Sequence, residues 1–135
     1  MKFESQICTT KEQSEQLLDL GLKKETADCF LWEYLNRWYV GQIDEDGITA
    51  NDIPAWSFDR MIAMFPKNAH NEYGNLSFKW ECSNNKYHFY VLAKYAPMGL
   101  LLKNHSNDLY ELAISALEWL VKGDFIDKQY LNESL

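Results

Sequence analysis

Leu76-Ser77-Phe78-Lys79-Trp80-Glu81-Cys82-Ser83-Asn84-Asn85-Lys86-Tyr87-His88-Phe89-Tyr90-Val91-Leu92-Ala93-Lys94-Tyr95 is a stretch of two complementary halves. Before the Asn pair, Leu76, Phe78, Trp80 and Cys82 alternate with Ser77, Lys79, Glu81 and Ser83. After it, Tyr87, Phe89, Val91 and Ala93 alternate again. A period of two is that of a strand, whose successive side chains point to opposite faces. A two-residue turn at Asn84-Asn85 pairs Cys82 with Tyr87, Trp80 with Phe89, Phe78 with Val91 and Leu76 with Ala93. Every one of these apolar residues then lands on one face, which predicts a β-hairpin with a buried side.

Around this hairpin the chain reads mostly as helix and loop. Thr10-x-x-Gln13 fits a capping box for a helix over about Lys11 to Leu20, ended by Gly21. From Ala27 the apolar residues fall at positions 27, 30, 31, 34, 35 and 38, a helical spacing, with Glu33 and Arg37 four apart. The residue types there favour strand. The reading adopted is a helix to about Leu35 and an extended piece through Ile43. Residues 44–52 form an acidic loop closed by Pro54. Ser57 caps a short helix with Phe58, Met61, Ile62 and Phe65 on one face, stopped by Pro66, and residues 67–75 are polar loop. An irregular link follows around Pro97 and Gly99. A last helix is capped by Asn107 or Asp108, buries Leu109, Leu112, Ala113, Ala116, Leu117, Leu120 and Val121, and ends at Gly123. The expected architecture is α+β: a small antiparallel sheet built on the hairpin at about 76–95, with helices packed on one face. Residues 3–7 and 37–43 are candidates for further strands.

At 135 residues the chain has the length of a single domain, 1–135, and 47% hydrophobic with 24% charged residues is a globular balance. Its 5 Trp, 8 Tyr and 7 Phe are more than a core of this size needs, which leaves some for a groove or an oligomer contact. The net charge of -7 argues against nucleic-acid and anionic-membrane partners. Charge is unevenly spread: residues 41–60 are acidic, whereas residues 61–103 carry Lys67, Lys79, Lys86, Lys94 and Lys103 against Glu72 and Glu81. Cys8, Cys29 and Cys82 are odd in number and widely spaced, so they make neither a disulfide framework nor a zinc site by spacing. No signal-peptide core opens the chain and no run has the roughly 18 apolar residues of a membrane span. The expected setting is cytoplasmic.

Glu81 and His88 face each other on the outer side of the hairpin. A carboxylate beside a histidine can orient and charge it, as in a general base; an ordinary cross-strand polar pair explains the same juxtaposition. Cys82 and His88 fall on opposite faces and cannot share a metal ion, and His70 and His105 lack a partner at ligand spacing. His105 with Asp108 reads as hydrogen bonding at the entry to the last helix. Gln42-x-Asp44-x-Asp46-Gly47 follows a calcium loop in part, yet position 1 is Gln and position 12 falls on Ile53 where a bidentate Glu is required. Ser57 lacks the glycines of a nucleophile elbow, phosphate-binding glycine loops are absent, and Cys29 reads as inert core. No metal or cofactor is called for. The remaining candidate is a surface of Lys79, His88, Tyr90, Leu92 and Lys94, where apolar and basic side chains mix; Tyr90 and Leu92 are equally explained by cover from another part of the chain.

Several further segments are familiar together: Thr9-Thr10-Lys11-Glu12-Gln13-Ser14-Glu15, Leu20-Gly21-Leu22 with Glu25-Thr26-Ala27-Asp28, and Asp52-Ile53-Pro54-Ala55-Trp56-Ser57. The ending adds Ala116-Leu117-Glu118-Trp119-Leu120, Gly123-Asp124-Phe125-Ile126 and Tyr130-Leu131. In these, across most of its length and in the same order, the chain resembles a family of short uncharacterised proteins of Bacteroidetes, often encoded among prophage or mobile-element genes. The resemblance implies an accessory protein of a mobile element and carries no activity or site residues. The expected function is a cytoplasmic, non-enzymatic protein that binds another protein, with a homo-oligomer left open. Two alternatives come from other classes: a small hydrolase or ligand-processing enzyme using Glu81 and His88, and an acidic nucleic-acid mimic.

Overall fold

In the computed structural model, which describes residues 6–43 and 52–132, Thr10 closes the predicted capping box. Its hydroxyl accepts from the Gln13 backbone N–H at 3.2 Å, and the Gln13 side-chain oxygen accepts from the Thr10 N–H at 3.0 Å. Two orphan donors at the start of α1 (Lys11–Asp19) are thereby satisfied. Gly21 follows the helix at φ +103, a conformation that costs glycine little. Contacts divide the chain into two units, Met1–Met64 with Asp127–Leu135 and Phe65–Ile126.

In the first unit, the segment expected to be helix to Leu35 is instead a second β-hairpin. β1 (Cys29–Tyr34) and β2 (Arg37–Gln42) pair antiparallel, with Phe30 opposite Gly41, Trp32 opposite Tyr39 and Tyr34 opposite Arg37. Aromatic and β-branched side chains pack well on a pleated ribbon and lose rotamer freedom in a helix. Leu35 and Asn36 form the two-residue turn at φ 51 and 63, the geometry that matches the twist of the flanking strands. The apolar residues occupy both faces of this ribbon, so the alternation that betrays a strand is missing and a helical spacing arises by coincidence. β3 (Ile53–Ala55) adds to β1 on its other side, giving the order β2-β1-β3. α2 (Phe58–Ala63) is capped by Ser57 as expected, the Arg60 N–H donating to the Ser57 hydroxyl at 3.1 Å. The acidic stretch 44–51, which contains Asp44, Asp46 and Gly47 of the partial calcium pattern, and residues 3–5 of the candidate first strand lie outside the described residues.

The core of this unit is tied by hydroxyl groups. Trp56 is fully buried; its indole N–H donates to the Thr26 hydroxyl at 2.9 Å and its backbone N–H to the Thr9 hydroxyl at 3.0 Å. Thr26 in turn donates to the Lys23 carbonyl at 2.7 Å, and the Thr9 and Ser14 hydroxyls lie 2.8 Å apart. Buried polar groups satisfied in this way specify one arrangement of the surrounding chain. Asp28 accepts from the Ser57 backbone N–H at 2.8 Å.

In the second unit, β5 (Gly74–Ser83) and β6 (Lys86–Ala93) form the central hairpin, and Cys82–Tyr87, Trp80–Phe89, Phe78–Val91 and Leu76–Ala93 are opposed as their alternation predicts. The sheet is wider than expected. β4 (His70–Asn71) lies within the supposed polar loop, and β7 (Leu100–Ser106) follows the link at Pro97–Gly99, giving the antiparallel order β4-β5-β6-β7. Phe89 and Val91 are fully buried on the inner face, where the Phe65 ring meets Phe78 at 5.4 Å and Phe89 at 5.9 Å, both edge-on. α3 (Leu109–Lys122) packs against β6 and β7. Asp108 is its cap, accepting from the Tyr110 and Glu111 N–H groups at 2.9 and 3.3 Å. Leu112, Ala113, Ala116, Leu117 and Leu120 are buried as expected, joined by Tyr110 and Ile114, whereas Leu109 and Val121 are half-buried. The fold is α+β with antiparallel sheets. Among the described residues, no helix is long and apolar enough to cross a membrane.

Candidate functional site

The residues singled out on the central hairpin do share a sheet face. Lys79 stands opposite Tyr90, Glu81 opposite His88 and Ser77 opposite Leu92. β7 extends this face with Lys103 opposite Tyr90 and His105 opposite His88. His105 therefore lies on a strand, with its ring 5.9 Å from that of His88, rather than at the helix entry. Leu92 and Lys94 line, with Asn75, Ser77 and Gly99, a shallow depression of about 270 Å³. Cys82, opposite Tyr87, projects to the other face from His88, as the alternation requires.

The electrostatics of this face favour a solvated polar pair. The Lys79 ammonium lies 3.1 Å from the Glu81 carboxylate, and its hydrogen bond and charge hold that carboxyl below the usual range. Partial desolvation, and then the Glu81 charge, raise the Tyr90 hydroxyl. Glu81 is thus kept ionised by a lysine on its own strand. The buried Nδ1 of His88 has no hydrogen-bond partner. A general base oriented by a carboxylate needs a different arrangement, in which a histidine ring N–H donates to the carboxylate.

Cys8 and Cys29 meet in a buried cluster with Leu31 and Ala55. Burial first, then the Asp28 charge, raise both thiols, and Cys29 is pushed up to about 12. A thiol so disfavoured as thiolate is a poor nucleophile, in keeping with a core position for Cys29. Cys82 is exposed on the hairpin.

Most of the exposed large hydrophobic side chains among the described residues lie where a helix to about Leu35 and an extended piece beyond it were expected. Phe30, Trp32, Tyr34 and Tyr39 share one face of the β1–β2 ribbon, with Arg37 at its end. The Trp32 and Tyr39 rings stack across the strands at 4.7 Å, and Tyr34 lies 6.5 Å from Trp32. At its base the Phe30 ring covers Gly41, filling the space that a Cβ there would take. Tyr34 is 58% exposed, Leu35 at the tip 78%, and Trp38 on the other face 46%. Trp38 is partly roofed by the Lys11 ammonium, 5.6 Å from its ring. Among the described residues β2 is also an edge strand, so its outer row of backbone N–H and C=O groups meets no other described strand. Its sequence, Arg37-Trp38-Tyr39-Val40-Gly41-Gln42, carries no Lys or Pro of the kind that guards such edges. The signal available in the sequence was the density of aromatic residues from 30 to 39, read there as a helix to about Leu35 followed by an extended piece through Ile43.

An α+β fold of two antiparallel sheets, one ending in an exposed aromatic ribbon, is what the chain presents. No family model matches the chain, and neither the curated proteins nor the solved structures give a match to it.

Proposed function

We propose that the protein is a non-enzymatic binding module that engages a protein partner through its β1–β2 ribbon. The observation that carries this reading is the contiguous exposed face of Trp32, Tyr34 and Tyr39, ending in Arg37 and Leu35. Isolated proteins rarely expose contiguous apolar surface of this kind, and Trp, Tyr and Arg are the residues that dominate binding energy at protein interfaces. The turn adds to the reading. A leucine held at φ 51 costs roughly 1–2 kcal/mol and buries almost nothing, so folding alone gives no reason for it. Strain of this kind is tolerated where the side chain serves a contact. The unguarded β2 edge suits a partner that contributes an extended segment, paired to the backbone and flanked by the aromatic rings.

A cytoplasmic setting and a role as accessory protein of a mobile element belong to this proposal and rest on cysteine usage and on the family resemblance. The face bearing Lys79, His88, Tyr90, Leu92 and Lys94 is more polar and is left outside this interface.

The test compares tagged wild type with Trp32→Ser/Tyr39→Ser in lysate of the native host, with nuclease present. Stoichiometric capture of a protein by the wild type and its loss from the double variant, both with equal thermal midpoints, is the expected result. Equal capture by both proteins would remove the ribbon from the account.

A further inference from the structure

In the first unit a cleft of about 520 Å³ is walled by Lys23 and Thr26, by Arg60 of α2, and by Gln129, Tyr130 and Asn132 near the chain's end. Its walls are fixed to each other. The Lys23 N–H donates to the Tyr130 carbonyl at 2.9 Å, the Asn132 N–H to the Gly21 carbonyl at 2.7 Å, and Leu22 and Leu131 form an antiparallel bridge.

Arg60 is the unusual member. Its Nε donates to the Thr26 carbonyl at 2.6 Å, and its guanidinium carbon lies 6.0 Å from the Tyr130 ring centre. One donor is thereby used to set the plane of the group, while the paired Nη donors bond to nothing among the described residues. Lys23 lines the same cleft, and among the described residues neither cation has a carboxylate partner there. Both are half-buried, which strips solvent from a charge and favours an opposing one. Glu25 is the cleft's acid; it is exposed, and it leaves the lining with a net positive charge.

A planar guanidinium oriented by its own Nε and an aromatic ring is a fork for two oxygens of one oxyanion. We propose that this cleft binds a small molecule through a phosphate or carboxylate group, held by the Arg60 Nη pair and Lys23. The Gln129 and Asn132 amides and the Tyr130 ring then face the remainder of the ligand. The volume falls within the range of small-molecule sites, and the open, mostly polar lining suits a polar ligand body. The proposal is independent of the partner-binding ribbon.

The test is amide and Arg Nε–H NMR of the full chain, titrated with sodium phosphate and separately with sodium acetate against sodium chloride at matched ionic strength. Saturable shifts at residues 23–26, at the Arg60 Nε–H and at residues 129–132 are expected with one or both oxyanions, and the stronger of the two identifies the group. Arg60→Lys, which keeps the charge and loses the fork, is expected to weaken binding roughly tenfold, the loss of one charge-assisted pair. Lys23→Gln, on an independent wall, is expected to weaken it as well, and serves alone if the Arg60 variant does not fold. Shifts no larger than with chloride, or affinities unchanged in the folded variants, would overturn the site.

Discussion

The indole N–H of Trp56 and the hydroxyl of Thr26 are joined at 2.9 Å in a fully buried setting, thirty residues apart in the chain. Thr26→Val keeps the shape of the side chain but strands the indole donor, while the Lys23 carbonyl that the hydroxyl also serves keeps its bond from the Thr26 backbone N–H. A buried polar group left without its partner costs about 1–3 kcal/mol. Chemical denaturation is expected to show a lower midpoint with an unchanged slope. A midpoint equal to that of wild type would mean that water replaces the hydroxyl.

Leu35 sits at the tip of the aromatic ribbon at φ 51, next to Asn36 at φ 63. Leu35→Asn relieves a conformation that branched carbon side chains resist and Asn tolerates, so stability is expected to rise by about 1 kcal/mol. The same change is expected to weaken partner capture. A variant that gains stability and binds equally well would show the leucine to be incidental.

The cysteines are expected to differ in reactivity. Cys82 is exposed and labels at neutral pH, whereas Cys8 and Cys29 react only on unfolding, because burial raises both thiols. The sign of the pH effect follows. Cys29 holds its proton more tightly folded, at about 12, than unfolded, near its ordinary value of 9.0. Its contribution is complete below the ordinary value and is lost as pH rises toward 12. Between pH 9 and 12, Cys29→Ala is expected to lose stability less steeply than wild type. Parallel curves in thermal unfolding would contradict the assignment.

Glu81 is exposed and paired with Lys79. Glu81→Gln is expected to leave the thermal midpoint at pH 7 unchanged, since exposed ion pairs contribute little. Partner capture by a Glu81→Gln/His88→Gln protein is expected to match wild type; its loss would move the interface to the central sheet.

The central hairpin was legible to the residue because each half alternates strictly and one face is buried, which fixes the register. Thr10 and Ser57, and the last helix's cap to within the pair Asn107 or Asp108, were legible for a different reason: capping is local chemistry, read from a few consecutive residues. The β1–β2 ribbon was not. Its faces are both apolar, and its turn, Leu35-Asn36, lacks the glycine that marks such turns. β7 was hidden likewise, since Leu100-Leu101-Leu102 is a run without alternation. The exposed aromatic face was missed with the ribbon, because its residues were placed on a helix to Leu35 and an extended piece beyond it rather than on one face of a hairpin. The Arg60 cleft joins residues 23, 60 and 130, a proximity that only the fold creates.

What covers the ribbon decides whether the protein binds through it. Hydroxyl-radical footprinting of the protein alone and with its captured partner reads side-chain exposure at each aromatic residue directly. Protection of Trp32, Tyr34 and Tyr39 in the complex, with Tyr90 and Tyr95 unchanged, is the predicted result. Full oxidation of Trp32 and Tyr39 in a saturated complex would contradict it.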